Sequence, residues 1–326
     1  MTAQTTRWGI LGTGGIASTF ASDLPLVPGA ELAAVGSRTQ ASADAFASEH
    51  GAARAHGSWA DLAADPDVDV IYVATPHASH HAASMACLAG GKAVLIEKPM
   101  TLDLAQSAQL VQEARTRGLF LMEAMWMRLN PAIRKIHELI SDGAIGDVVT
   151  LHADFGLQGP FEASHRLRDP AQGGGALLDL GVYPIHFADL MLGNPSTVHS
   201  WATLTPEQVD ETTGVLLGYA SGAVAALTCS IAGESRNNAT ITGTLGRIEL
   251  PPGFFNPHTF DLVRNGETET FNLPYEGRGY QFEAIEVQRC LAEGGLESPL
   301  VPHTTTLDLM TLLDTIRAEI GVVYPA

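Results

Sequence analysis

Gly12-Thr13-Gly14-Gly15-Ile16-Ala17 follows directly on the apolar run Arg7 to Leu11 and leads directly into the helical stretch Ile16 to Leu24. A strand, a glycine turn and a helix in that order constrain a fold more than any composition does. In the pattern GxGxxA, Gly12 makes the tight turn and Gly14 lets a pyrophosphate approach the backbone. The small Ala17 lets the helix pack on the sheet with its N-terminus facing the phosphates. In isolation the motif is only a glycine-rich turn. In the first strand-helix unit it predicts a dinucleotide site built on Gly12, Thr13, Gly14, Gly15 and Ile16.

The rest of the chain keeps to that plan. From residue 7 to about residue 123, apolar runs such as Val70 to Ala74 and Ala93 to Ile96 alternate with helical segments such as His80 to Ala89 and Leu104 to Gly118. Strand and helix in turn mean a doubly wound parallel sheet, an α/β fold. After a helix from Pro131 to about Ser141 the pattern changes to β-rich runs, among them Val148 to Phe155, Thr212 to Tyr219 and Ala223 to Ser230. Asn265-Gly266 between two such runs marks a hairpin. Helices are expected at about Gly175 to Leu192, Gln281 to Glu293 and Thr304 to Ile320. The expected division is a Rossmann dinucleotide-binding domain over 1–123, then an α+β domain over 124–326 with a large, open, mostly antiparallel sheet for substrate binding and oligomerisation. With 326 residues, 45% hydrophobic and 17% charged, both domains can have a proper core.

Composition also narrows the partners. A formal charge of −18 repels nucleic acid and anionic membranes, so a phosphate must be held by local donors. No run reads as long enough to span a bilayer. Cys87, Cys229 and Cys290 lie far apart without a CxxC spacing and read as buried thiols of a reducing, cytoplasmic compartment.

The strand ends carry the chemistry. Val35-Gly36-Ser37-Arg38 lacks the acid that would hold a ribose 2′-hydroxyl. Ser37 and Arg38 offer donors for a 2′-phosphate, which favours NADP over NAD unless Arg38 merely stacks on adenine or faces water. Thr75-Pro76-His77 ends another strand and should pass beside the pyrophosphate and ribose. His77, His80 and His81 have no acid or cysteine near them in sequence, so no metal is expected and His80 is placed with the cofactor end as a hydrogen-bonding anchor. Glu97-Lys98-Pro99 puts an acid and a base at the carboxyl edge of the sheet, where α/β enzymes bind ligands. Gly173-Gly174-Gly175 feeds a helix in which Asp179, Tyr183 and His186 fall at i, i+4 and i+7 among apolar neighbours. An acid favoured by a helix N-terminus beside a packed tyrosine would leave the same trace.

Taken in order, GxGxxA, Thr75-Pro76, Glu97-Lys98-Pro99 and the glycine, Asp179, Gly181, Tyr183 run resemble the Gfo/Idh/MocA oxidoreductase family over essentially the full chain. Tyr183, where many members carry histidine, is similar to the branch of dimeric dihydrodiol dehydrogenases, glucose-fructose oxidoreductase and NADP-linked aldose dehydrogenases. The resemblance implies a nicotinamide lying between Lys98 and the Asp179 to Tyr183 helix, and hydride transfer at a CH–OH carbon of a small polyol, sugar or cyclic diol. Tyr183 would be the general acid/base. A tyrosine in water keeps its proton to about pH 10, so a nearby Lys98 ammonium would be needed to favour the phenolate. Lys98 would also bond the reacting oxygen, Asp179 would orient Lys98 or substrate, and Glu97 would help fix the ribose. The family's lysine to proline bond is often cis.

Substrate contacts are expected from Trp126, Arg128, Phe155 and His186, with the turn Pro251 to Phe255 as a further wall; core packing explains Phe155 equally well, and His186 could equally satisfy a helix partner. The loop from Gly156 to Gln172 is long enough to cover a site. Association into a homodimer or homotetramer through the outer sheet face is implied. The competing expectations are a nucleotide-binding regulator without turnover and an enzyme that retains its cofactor through a closed cycle.

Overall fold

A computed structural model describes residues 5–325. They form two compact units, one running to Trp126 and including Glu276–Leu307, the other made of Met127–Tyr275 and the segment from Asp308 onward. The expected single cut between residues 123 and 124 therefore changes, because a late segment returns to the first unit. Asp23 causes much of this. Its carboxylate accepts the amides of Arg278 (2.9 and 3.0 Å) and Tyr280 (3.0 Å). Glu123 adds a second tie, accepting from the Met100 amide at 2.9 Å and the Thr306 hydroxyl at 2.9 Å.

The first unit holds six strands: β1 (Thr6–Leu11), β2 (Ala30–Gly36), β3 (Arg54–His56), β4 (Val70–Val73), β5 (Ala93–Glu97) and β6 (Leu121–Ala124). They pair in the order β3-β2-β1-β4-β5-β6, all parallel. Helices α1 (Gly15–Asp23), α2 (Gln40–His50), α3 (Trp59–Ala64), α4 (His80–Ala89) and α5 (Leu104–Arg117) connect them. β4 and β5 are buried along their whole length, as continuous apolar runs must be when helices cover both faces of a parallel sheet. Strand order reverses at β1, so the crevice beyond the ends of β1 and β4 is the ligand edge of the sheet.

The second unit begins with α6 (Pro131–Ser141), β7 (Val148–Gly156) and α7 (Val182–Leu192). Strands β8 (Thr197–Leu204), β9 (Asp210–Gly218), β10 (Val224–Ser230), β11 (Ala239–Gly243), β12 (Gly246–Leu250), β13 (Thr259–Arg264) and β14 (Glu267–Asn272) follow. The sheet order is β14-β13-β12-β11-β7-β10-β9-β8, antiparallel except for the parallel β7/β10 pair. Asn265 and Gly266 both take positive φ, 54° and 79°, as the tight turn between β13 and β14 demands. α7 packs on β7 and β10. Away from that helix the sheet exposes Val149, Trp201, Leu216 and Val224, and a groove of about 630 Å³ runs past His152, Trp201 and Leu216.

One sequence expectation needs amendment here. Pro170–Leu192 is in fact long and apolar enough to cross a membrane by length and composition, with a mean hydropathy of 1.2, but 83% of that window is buried inside the fold. It is the core helical stretch of the second unit.

Candidate active site

The cofactor half lies at the ends of β1, β2, β4 and β5. Gly12 has a φ of 117°, and a Cβ there would stand 2.5 Å from the Ala74 carbonyl oxygen, so only glycine lets β1 turn beside β4. Gly14 and Gly15 are exposed with open space where a Cβ would be, and no side chain caps the first turn of α1. Bare amides at a helix N-terminus are an anion site, and this one fits a diphosphate. Ser37 is buried at the end of β2 with its hydroxyl 3.4 Å from that of Thr13, while Arg38 is exposed. A hydroxyl pair beside an exposed guanidinium suits a phosphorylated ribose. Beyond β4, the buried Thr75 hydroxyl has no hydrogen-bond partner among the described residues.

His80 is a hydrogen-bonding anchor at the cofactor end. It is fully buried, with Nδ1 2.9 Å from the Pro99 carbonyl and Nε2 2.8 Å from that of Thr75. Burial lowers its pKa to about 4 against the pull of those carbonyls. His80 thus braces the Thr75-Pro76 turn against the Lys98-Pro99 turn, with both ring nitrogens occupied. The Lys98-Pro99 peptide is cis. Glu97 is buried and accepts from the Tyr72 hydroxyl and, at 3.1 Å, from the Lys98 amide. Burial first, and then the charges of Glu97 and Asp23, push the Glu283 carboxyl well above the usual range, which favours its protonated form. Nothing in its sequence surroundings marks it. Trp126 is buried and stacked on Tyr280 at 4.6 Å.

The second unit carries Tyr183, the expected acid/base, and Asp179. Asp179 sits in a π-helical turn, Leu177–Gly181, that runs into α7 and Tyr183. Such widened turns recur at functional sites. Arg166 grips Asp179 with two bonds, Nη1 to Oδ1 at 2.9 Å and Nη2 to Oδ2 at 3.1 Å. Tyr183 is clad in aromatic rings. Phe155 lies 5.5 Å from it and Phe255 5.2 Å, and those two stack on each other at 4.4 Å. Arg128 lies close to His186 and pairs with Asp189, its Nη1 donating to the carboxylate at 2.7 Å in a buried pair. Burial, with Arg128 alongside, holds His186 well below the usual histidine pKa. The structure thus gives Arg128 an internal partner in Asp189.

Two supports of the π-helical turn escaped sequence reasoning. Asp210, fully buried, accepts from the Leu177 amide at 2.7 Å and the Thr213 hydroxyl at 2.8 Å. Tyr324 donates to the Gly174 carbonyl at 2.6 Å. Neither lies in a motif, and only the folded chain brings them under the glycine run.

Residues 6–125 match the model of an oxidoreductase family with an NAD-binding Rossmann fold, and residues 133–249 match the Gfo/Idh/MocA C-terminal domain. The chain belongs to the Gfo/Idh/MocA oxidoreductase family. Over 332 residues it is 38% identical to the trans-1,2-dihydrobenzene-1,2-diol dehydrogenase of Bos taurus, covering 98% of each chain. The Homo sapiens enzyme of the same name is 38% identical over 331 residues, again 98% of each. Among solved structures, a 3-ketoreductase from Actinomadura kijaniata in complex with NADP and TDP-benzene superimposes with a TM-score of 0.86 at 28% identity, over 97% of this chain and 98% of that one. An aldose-aldose oxidoreductase from Caulobacter crescentus shares the fold with a TM-score of 0.89 at 22% identity, over 99% of this chain and 100% of that one. This Gfo/Idh/MocA member is an oxidoreductase with a parallel Rossmann sheet and a second, mostly antiparallel sheet.

Proposed function

We propose that the protein is an NADP-preferring dehydrogenase of a small cyclic diol or sugar. The observation that carries the reading is the tyrosine at the mouth of the π-helical turn, walled by Phe155 and Phe255 and neighboured in sequence by a held carboxylate. Flat aromatic walls suit a ring-shaped diol, and the dihydrodiol dehydrogenases among the relatives point the same way. Ser37 and Arg38, with no acid at the end of β2, support NADP. A nicotinamide held there would supply the hydride acceptor for the CH–OH carbon. Tyr183 Oη takes the hydroxyl proton as the carbonyl forms, Lys98 Nζ hydrogen-bonds that oxygen, and Asp179 keeps the polar groups oriented. The donors at the start of α1 hold the diphosphate. The exposed apolar face of the second sheet, with Trp201 and Leu216, supports self-association as a dimer or tetramer.

The test is reduced-nicotinamide absorbance with NADP or NAD and a panel of trans-dihydrodiols, aldoses and inositols. Tyr183→Phe and Lys98→Ala should each lower kcat by about 10²–10⁴. Turnover unaffected by both replacements would remove the assigned roles. Absence of turnover despite tight nucleotide binding would favour a regulator or a closed-cycle enzyme.

A further inference from the structure

The loop 157–172 is a built support rather than a slack cover. Its Leu167 carbonyl accepts from the Gly175 amide at 2.8 Å, and the Asp169 carbonyl accepts from the Gly174 amide at 3.0 Å. A Cβ on Gly174 would stand 2.7 Å from the Arg166 carbonyl oxygen, so the loop backbone runs directly against the glycine turn. Arg168 fixes the far side, reaching Glu207 at 2.6 and 3.0 Å and the Phe161 carbonyl at 2.9 Å. Between these anchors stands Arg166, with its planar fork on both oxygens of Asp179.

The two partners differ in burial: the Asp179 side chain is 8% exposed and that of Arg166 is 52% exposed. An ion pair with a half-exposed arginine adds little to stability. What the bidentate geometry does provide is orientation, because a guanidinium fork fixes a carboxylate about its plane as a single ammonium cannot. The π-helical turn leaves Asp179 at the start of the helix that carries Tyr183, where a rotated carboxylate would turn its acceptors away from the reacting groups. We propose that Arg166 is a positioning residue of the reaction, acting through Asp179, and that the loop 157–172 exists to deliver it. This inference rests on the dehydrogenase reading.

The experiment is a double-mutant cycle on the full chain, using Arg166→Met, Asp179→Asn and the pair, with NADP and the best diol of the panel. Arg166→Met should lower kcat about 10–100-fold, the scale of a misplaced reacting group, with the KM for NADP little changed. Arg166→Lys should recover only part of the loss. In the Asp179→Asn background, Arg166→Met should cost nothing further. Losses that multiply, or wild-type kcat in Arg166→Met, would overturn the proposal while leaving the dehydrogenase reading intact. Amide hydrogen exchange supplies a readout that needs no substrate. Faster exchange in both the loop and Leu177 to Tyr183 of Arg166→Met is expected, and unchanged exchange would overturn the proposal even if no diol or sugar turned over.

Discussion

Replacing Asp210 by asparagine should make the protein's stability less dependent on pH, in a direction fixed by burial. The carboxyl is fully enclosed, and desolvation lifts its pKa from 3.8 to about 7 against the Thr213 hydroxyl and the Leu177 amide, which favour the charged form. A carboxyl whose pKa is raised on folding binds its proton more tightly in the folded state. Its contribution to stability is therefore complete below about pH 4 and is lost as the pH rises through about 7. At roughly 1.4 kcal/mol per pH unit, the loss approaches ~4 kcal/mol. Asparagine has no proton to lose. Its amide adds a fixed offset, so the informative quantity is how the stability difference between variant and wild type changes with pH. Relative to wild type, Asp210→Asn should gain up to ~4 kcal/mol between pH 4 and pH 8.5. For a domain of 150–250 residues that corresponds to a relative rise in Tm of about 8–16 °C. Thermal melts followed by circular dichroism across that range measure it. Parallel curves for the two proteins would show that Asp210 titrates where an ordinary aspartate does, and the burial argument would be wrong.

Two other outcomes follow from the site and the sheet. Arg38→Ala should weaken NADP binding by about tenfold or more while leaving NAD nearly unchanged, as a charge-assisted contact to a 2′-phosphate requires. Fluorescence titration of both nucleotides checks it; equal losses would assign Arg38 to adenine, and no loss would assign it to solvent. Light scattering at micromolar concentration should give at least twice the mass of one chain. Trp201→Glu combined with Leu216→Glu should bring it to a single chain, since charge cannot be buried unpaired in an apolar interface, and a wild-type monomer would contradict association through this face.

The cofactor end was legible because each of its signals is local. The glycine turn lies between a strand and a helix, and the missing acid after β2 sits where the pattern says to look. The Asn265-Gly266 hairpin was legible for the same reason. β3 and α3 were not, and β3 shows why: none of its three residues is fully buried, and pairing with β2 alone makes it a strand. Tyr183 stood out through its spacing from Asp179. The π-helical turn did not, since no residue pattern separates it from an α-helical one. Asp179 was visible, but its pairing with Arg166 depends on the loop path that Gly174 permits. The ion pair of Arg128 with Asp189, a helical turn beyond His186, was not legible, since the two residues lie 61 apart in sequence.

The return of Glu276–Leu307 to the first unit bears on how the chain is made. Asp23 waits for amides 255 residues further on, at Arg278, and Glu123 waits for Thr306. A ribosome adds about 5–20 residues per second, so the nucleotide-binding unit emerges early yet cannot close until synthesis is nearly finished. In the interval most of the second unit is translated, while the six strands of the Rossmann sheet, all within residues 6–124, stand without the partners that Asp23 and Glu123 take from the late segment. A fragment ending at Trp126 should for the same reason behave as a folding intermediate rather than as a miniature dinucleotide-binding protein.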